Sequence, residues 1–125
     1  MSLLVEAFVR EPDGSMRILD VPDDVYRSGG FESWRRTVWG SEAVRSLGAR
    51  LLPVPAEEDL VVEAAQVPEL LREVAVLRAH LEVIAGTTER PRSAGERRDQ
   101  LELRLRIIED SARKALEIGG GVLVW

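Results

Sequence analysis

The side chains in this sequence with the reactivity for acid–base or metal chemistry are one imidazole, His80, and three neighbouring carboxylate pairs: Asp23 with Asp24, Glu57 with Glu58, and Glu109 with Asp110. General acid–base catalysis needs groups that converge within hydrogen-bond reach of one substrate atom. Adjacent residues on a strand or helix point in different directions, so no pair converges by itself. His80 has no acid or hydroxyl at a spacing that would activate it, and reads as a surface or boundary histidine. Cysteine is absent, which excludes disulfides, thiolate zinc sites and cysteine nucleophiles together. The P-loop, dinucleotide, zincin and nucleophile-elbow patterns are absent as well. Gly119-Gly120-Gly121 follows a helix-forming stretch, whereas a phosphate cradle precedes one. No catalytic residue, cofactor or metal is expected on these grounds.

Two kinds of binding chemistry remain. The net charge is −5, and residues 1–66 hold 12 acids against 7 bases while residues 67–125 hold 10 against 10. The whole acidic excess thus lies in the first half. Such a chain repels nucleic acid and anionic membranes at long range, so neither is an expected partner, and a basic protein is. Asp13, Asp20, Asp23, Asp24, Glu57, Glu58 and Asp59 are the acids expected to steer such a partner. The run Glu57-Glu58-Asp59 reads as a solvated turn, with a hard cation or a basic partner as the functional alternative. The second chemistry is aromatic. Trp34 and Trp39, with Arg35 and Arg36 between them, have the composition of an interface hot spot. In a chain that is only 5% aromatic, filling the core is the more economical use of such rings, and Arg35 and Arg36 would then pair with acids of the N-terminal hairpin.

The elements that must position these residues are organised around 67–118. Val67, Leu70, Val74, Leu77, Leu81 and Ile84 recur at spacings of three and four, which predicts one helical stripe over 67–86. Pro68 suits a first turn and Gly86 an end. Ser93 to Glu96 fits a capping box, after which Leu101, Leu105, Ile108, Ala112 and Ala115 repeat the stripe. Leu103, Ile107, Leu116 and Ile118 widen it into a second apolar side. Acid–base pairs four apart along 98–114 add about 0.2–0.5 kcal/mol each. The short connection 87–92 makes the two helices antiparallel neighbours, packed on each other, on a sheet, or across a dimer axis.

Before this pair, residues 3–10 and 16–21 read as strands joined by the turn Glu11-Pro12-Asp13-Gly14. Phe31 to Trp39 predicts a short aromatic helix ending at Gly40, and Ser41 caps a further turn closed by Gly48. Ala49–Val54 and Leu60–Ala65 read as two more strands, with Pro53 placing the first at an edge or ending it early. Val122 to Trp125 is an apolar strand expected to insert beside residues 3–10.

The fold class is therefore α+β in one domain over 1–125: an antiparallel or mixed sheet of about five strands packed against a long antiparallel helical pair plus a short aromatic helix. The N-terminus lacks a basic leader, and no stretch approaches 18 apolar residues, so a cytoplasmic location is expected. In size, acidity, Arg-rich composition and an order of elements ending in Gly-Gly-Gly-Val-Leu-Val-Trp, the chain resembles the immunity proteins that neutralise bacterial polymorphic toxins. The resemblance implies a small cytoplasmic protein-binding module that masks a basic toxin domain, with Asp13, Asp20, Asp23, Asp24, Trp34, Arg35, Glu57, Glu58 and Asp59 as partner-binding residues. Two alternatives stay open: a self-associating scaffold, homodimeric through the second side of 101–118, and a carrier with a small-ligand pocket between sheet and helices.

Overall fold

The computed structural model describes residues 2–19, 27–87 and 94–125. Its strands are β1 (Ser2–Arg10), β2 (Met16–Ile18), β3 (Ser28–Phe31), β4 (Leu60–Val62) and β5 (Gly121–Val124); its α-helices are α1 (Glu42–Ser46), α2 (Val67–Arg78), α3 (Leu81–Thr87) and α4 (Ala94–Ile118). The architecture is α+β, an open antiparallel sheet in the order β2-β1-β5-β4, with β3 pairing along the first part of β1. As expected, β5 lies beside β1; it also bonds β4 on its other side, with Val5 opposite Val124 and Val124 opposite Leu60.

The two-residue period of the strands decides what each face holds. Leu3 and Val5 share one face with Val122, Val124, Leu60 and Val62, all of them buried. Against this face pack the helices, whose stripes run Val67-Leu70-Val74-Leu77, Leu81-Ile84 and Leu101-Leu105-Ile108-Ala112-Ala115, joined in the same core cluster. Arg78 meets Glu102 at 3.6 Å and also Glu109, and Glu82 meets Arg98 at 3.7 Å. These pairs tie α2 and α3 to α4 in opposite chain directions.

Four expected elements take a different form. One helix over 67–86 is instead α2 and α3, and α3 runs through Gly86 to Thr87. At the joint the Ala79 amide is shared between the carbonyls of Ala75 and Val76, His80 bonds Leu77 three residues back, and His80 Nδ1 lies 2.9 Å from the Val76 oxygen. That tightening ends the α-turn while leaving Leu77 and Leu81 in the core. The aromatic helix is replaced by the end of β3 at Phe31 and a π-helical turn over Arg35–Trp39. Gly30, at φ +123°, turns the chain there and has the Trp34 ring against it, 2.7 Å from where a Cβ would lie. The Trp39 indole N–H donates to the Gly29 carbonyl at 2.9 Å, which commits this ring to the core.

Ala49–Val54 is a turn leading into a 3-10 turn over Val54–Ala56, not a strand. Its amides do not join a ladder because Glu73, buried on α2, accepts from the N–H groups of Arg50, Leu51 and Leu52 at 3.0–3.1 Å. Leu60–Ala65 shortens to β4 because Glu63 and Gln66 form a reciprocal capping box that starts a 3-10 turn over Ala64–Gln66. Other local signals hold: Ser41 caps α1 through the Val44 amide, and Gly14 takes φ +88° in the hairpin turn. Ser93 of the second capping box and the connection 88–92 lie outside the described residues.

Replacing Glu73 by Ala strands three amides, of which that of Leu52 is buried, and each buried unsatisfied donor costs about 1–3 kcal/mol. We expect Glu73→Ala to lose about 3 kcal/mol in denaturant unfolding, with Glu73→Gln in between; an unchanged midpoint would refute the assignment. Deleting residues 122–125 removes the strand that joins β1 to β4, and the expected result is loss of the cooperative melting transition.

Candidate binding surface

The face of the sheet turned away from the helices carries Leu4, Glu6, Phe8 and Arg10 from β1, Leu123 and Gly121 from β5, and Val61 from β4, set by the cross-strand pairs Glu6–Leu123, Phe8–Gly121 and Val61–Leu123. Leu4 and Trp125 exchange both backbone hydrogen bonds, at 2.9 and 3.0 Å, so Trp125 extends the same row.

One end of this face is closed. A Cβ on Gly121 would lie 2.6 Å from the tip of the Phe8 ring, so glycine is required for the ring to lie across β5. The Arg10 guanidinium sits 5.2 Å from the centre of that ring and grips Glu63 with two bonds, 3.1 and 2.6 Å, while its third nitrogen donates to the Gly14 carbonyl at 3.1 Å. Phe8 is left only 1% exposed. Towards β3, Arg27 binds the Glu6 carboxylate at 2.7 Å. Between Glu6 and Val61, Leu123 is buried, whereas Leu4, Val61 and Trp125 around it are 36%, 38% and 44% exposed.

At the other end of the strip lies the acidic turn. Glu57, Glu58 and Asp59 are all exposed and lead into Leu60, which pairs with Val124, so the turn reaches the level of Trp125. The structure brings three of the sequence-selected residues together here. Arg35 bonds Glu32 at 2.6 Å and the Pro55 carbonyl at 3.3 Å, and stands 3.8 Å from Asp59. Trp34 is half-buried beside it, edge-on to Trp39 with ring centres 5.8 Å apart. Arg35 therefore pairs with Glu32 and Asp59, not with acids of the hairpin.

Asp13 is not part of this group. It sits in the hairpin turn beyond Arg10, accepting from the Ser15 amide at 2.9 Å and its hydroxyl at 2.7 Å, bonds that hold its carboxyl below the usual range. Leu60 is level with Val5 through Val124, so at about 3.3 Å per residue the hairpin turn and the acidic turn lie at opposite ends of the sheet. Asp20, Asp23 and Asp24 lie outside the described residues. The residues that sequence reasoning missed are Leu4, Val61 and Trp125. Alternation in Leu60-Val61-Val62 marks Val61 as facing away from Leu60, but which side is covered depends on the helices.

Among the described residues no group of three or more His, Cys, Asp and Glu converges as a metal ligand set, and no helix is long and apolar enough to cross a membrane. A shallow cavity of about 100 Å³ lies between α1 and α2, lined by Leu47, Gly48, Ala49, Glu69, Arg72 and Glu73 among others. It is small against the roughly 300–1,000 Å³ of ligand pockets, and the Glu73 carboxylate on its wall is engaged by the three amides. Leu103 and Leu116 on α4 are exposed but fall on different sides of the helix, so the expected second apolar side is not one strip. Comparison of the chain with protein-family models, with curated proteins and with solved structures yields no match.

The Arg10–Glu63 pair has a pH signature. The hydrogen bond from Arg10, opposed by partial desolvation, holds the Glu63 carboxyl below its ordinary value of 4.5. At Glu109 burial opposes ionisation, but the bonds from Arg113 and Arg78 outweigh it and the carboxyl is again lowered. A carboxyl with a lowered folded-state pKa stabilises the fold above its unfolded value and ceases to do so as pH falls through the folded value. Arg10→Met should therefore raise the Glu63 pKa, read by carboxyl-carbon NMR, and remove its share of the stability lost below pH of about 4.5. A Glu63 titration unmoved by the substitution would show that the pair does not form in solution.

Proposed function

We propose that this protein is a cytoplasmic protein-binding module that presents the outer face of its sheet and the acidic turn 57–59 to a basic protein, in the manner of the toxin-neutralising immunity proteins it resembles. The observation that carries the reading is the run of exposed apolar side chains, Leu4, Val61 and Trp125, ending at the exposed Glu57, Glu58 and Asp59. Protein interfaces combine an apolar, water-excluding centre with a charged rim. Here the strip supplies the centre and the turn one side of the rim. The rim acids draw a basic partner in and fix its orientation, while the strip holds it once docked. Arg35, braced by Glu32 and the Pro55 carbonyl, limits how far the turn can move away from Trp34.

The test is capture of a basic protein from the source organism's lysate, washed at low salt and eluted by a salt step, with three baits. The wild type should retain such a partner with a salt-dependent on-rate. Glu57→Lys/Glu58→Lys/Asp59→Lys should lose it by about tenfold or more, and Trp125→Ala should speed its dissociation with little change in on-rate. All four substitutions are at exposed positions, so each bait should melt near the wild-type temperature. Equal capture by the wild type and the charge-reversed bait would refute the proposal.

A further inference from the structure

We propose that the open edge of β4 takes up a basic, extended segment of the partner as an added strand, a docking mode that rests on the reading of the acidic turn given above. The geometry begins at Trp125 and Leu4, which exchange both backbone bonds. Residues of a strand bond alternately to the two sides. Trp125 bonds towards β1, so Val124 and Val122 bond towards β4, to Leu60 and Val62. The N–H and C=O of Val61 then point away from β5, out of the sheet edge. Among the described residues β4 is last in the strand order. Two residues on, the corresponding groups of Glu63 are taken, its N–H by the Gln66 side chain at 3.3 Å and its C=O by the Gln66 amide at 2.8 Å. The free edge is thus short, centred on Val61, and entered from the acidic turn.

Charge decides what such an edge accepts. In an antiparallel pairing of two copies centred on Val61, Asp59 of each chain would stand opposite Glu63 of the other. Like charges directly opposite are destabilising, and charged, abbreviated edges keep sheets from joining one another. A Lys- or Arg-bearing strand meets the opposite situation: its cations face Glu57, Glu58 and Asp59, its backbone answers Val61, and its apolar residues lie beside Val61. This is strand addition with selectivity supplied by the acids. A short edge offers few main-chain bonds, so affinity should fall steeply with salt.

The experiment uses the full chain and three short capped peptides of equal length: alternating Lys and Val, alternating Glu and Val, and the Lys–Val peptide with every backbone nitrogen methylated. The last carries the same charge and side chains as the first but has no N–H to offer a ladder. At low salt the Lys–Val peptide should bind at least about tenfold more tightly than the other two, about 1.4 kcal/mol, and slow amide exchange at Val61 by a similar factor. Val61→Pro, which removes the outward N–H, should reduce Lys–Val binding to the level of the N-methylated peptide. Should that variant unfold, Val61 protection in the wild type still decides the matter. Equal binding of the Lys–Val peptide and its N-methylated form with no Val61 protection overturns strand addition while leaving a charge-driven surface intact. Concentration-dependent Val61 protection without peptide makes a second copy the occupant and also overturns it. Failure of every peptide to bind overturns it too, and the lysate capture with the charge-reversed bait then judges the functional reading separately.

Discussion

The structure depends on β5 lying between β1 and β4. Those two strands are remote in sequence and do not pair with each other; each is bonded to β5. Val122 and Val124 put two fully buried side chains on the helix side, while Leu123 and Gly121 face outward. The backbone approach is close: a Cβ at Gly120 would lie 2.0 Å from the Phe8 oxygen and one at Gly121 only 2.1 Å from the Val62 oxygen. No side chain fits at either position. The glycines that stop α4 thus also set how near β5 can come to its neighbours, with Gly119, at φ +72°, making the turn between them.

From that strand the two ends of the outer face acquire different characters. Towards the hairpin, Phe8 lies across Gly121 and is sealed by Arg10, whose other bonds to Glu63 and Gly14 tie the hairpin to the residue that follows β4. Towards the acidic turn nothing among the described residues plays Arg10's part. The same face is therefore finished at one end and left with exposed apolar side chains at the other, beside the turn where Asp59, Arg35 and Trp34 gather. Exposed ion pairs like Arg10–Glu63 add little to stability by themselves; what this one supplies is position.

Local signals in the chain were a good guide where the cause is local. The hairpin turn, the Ser41 cap, the stripe through Val74 and Leu77 and the apolar strand 122–125 all follow from spacing, capping chemistry or periodicity, and all are in the structure. The signals failed where a distant group decides. Residues 49–54 have strand composition, but their amides belong to a carboxylate more than twenty positions away. Phe31 has the spacing of a helical face with Trp34, yet pairing of 28–31 with β1 holds it in a strand, half-exposed, with the Arg104 guanidinium 5.9 Å from the ring centre. Net charge pointed to acids as a class, but could not tell that Asp13 and Asp59 end up at opposite ends of one sheet. The open strip was hidden for the same reason, since alternation shows that a strand has two faces and not which one the helices will cover.

Glu73 also joins positions far apart in the chain. By holding the amides of residues 50–52 it closes a loop of 21 to 23 residues, and that loop carries the 3-10 turn, the acidic turn, β4 and the start of α2. Cross-linking the two ends of such a segment lowers the entropy of its open forms, which is what a disulfide achieves covalently. In a chain without cysteine the closure is made by one side chain and three peptide groups. It forms and breaks with folding itself, requires no oxidant, and is indifferent to the thiol chemistry of its surroundings. The acidic turn is thereby held as part of a clasped segment whose integrity is independent of redox conditions.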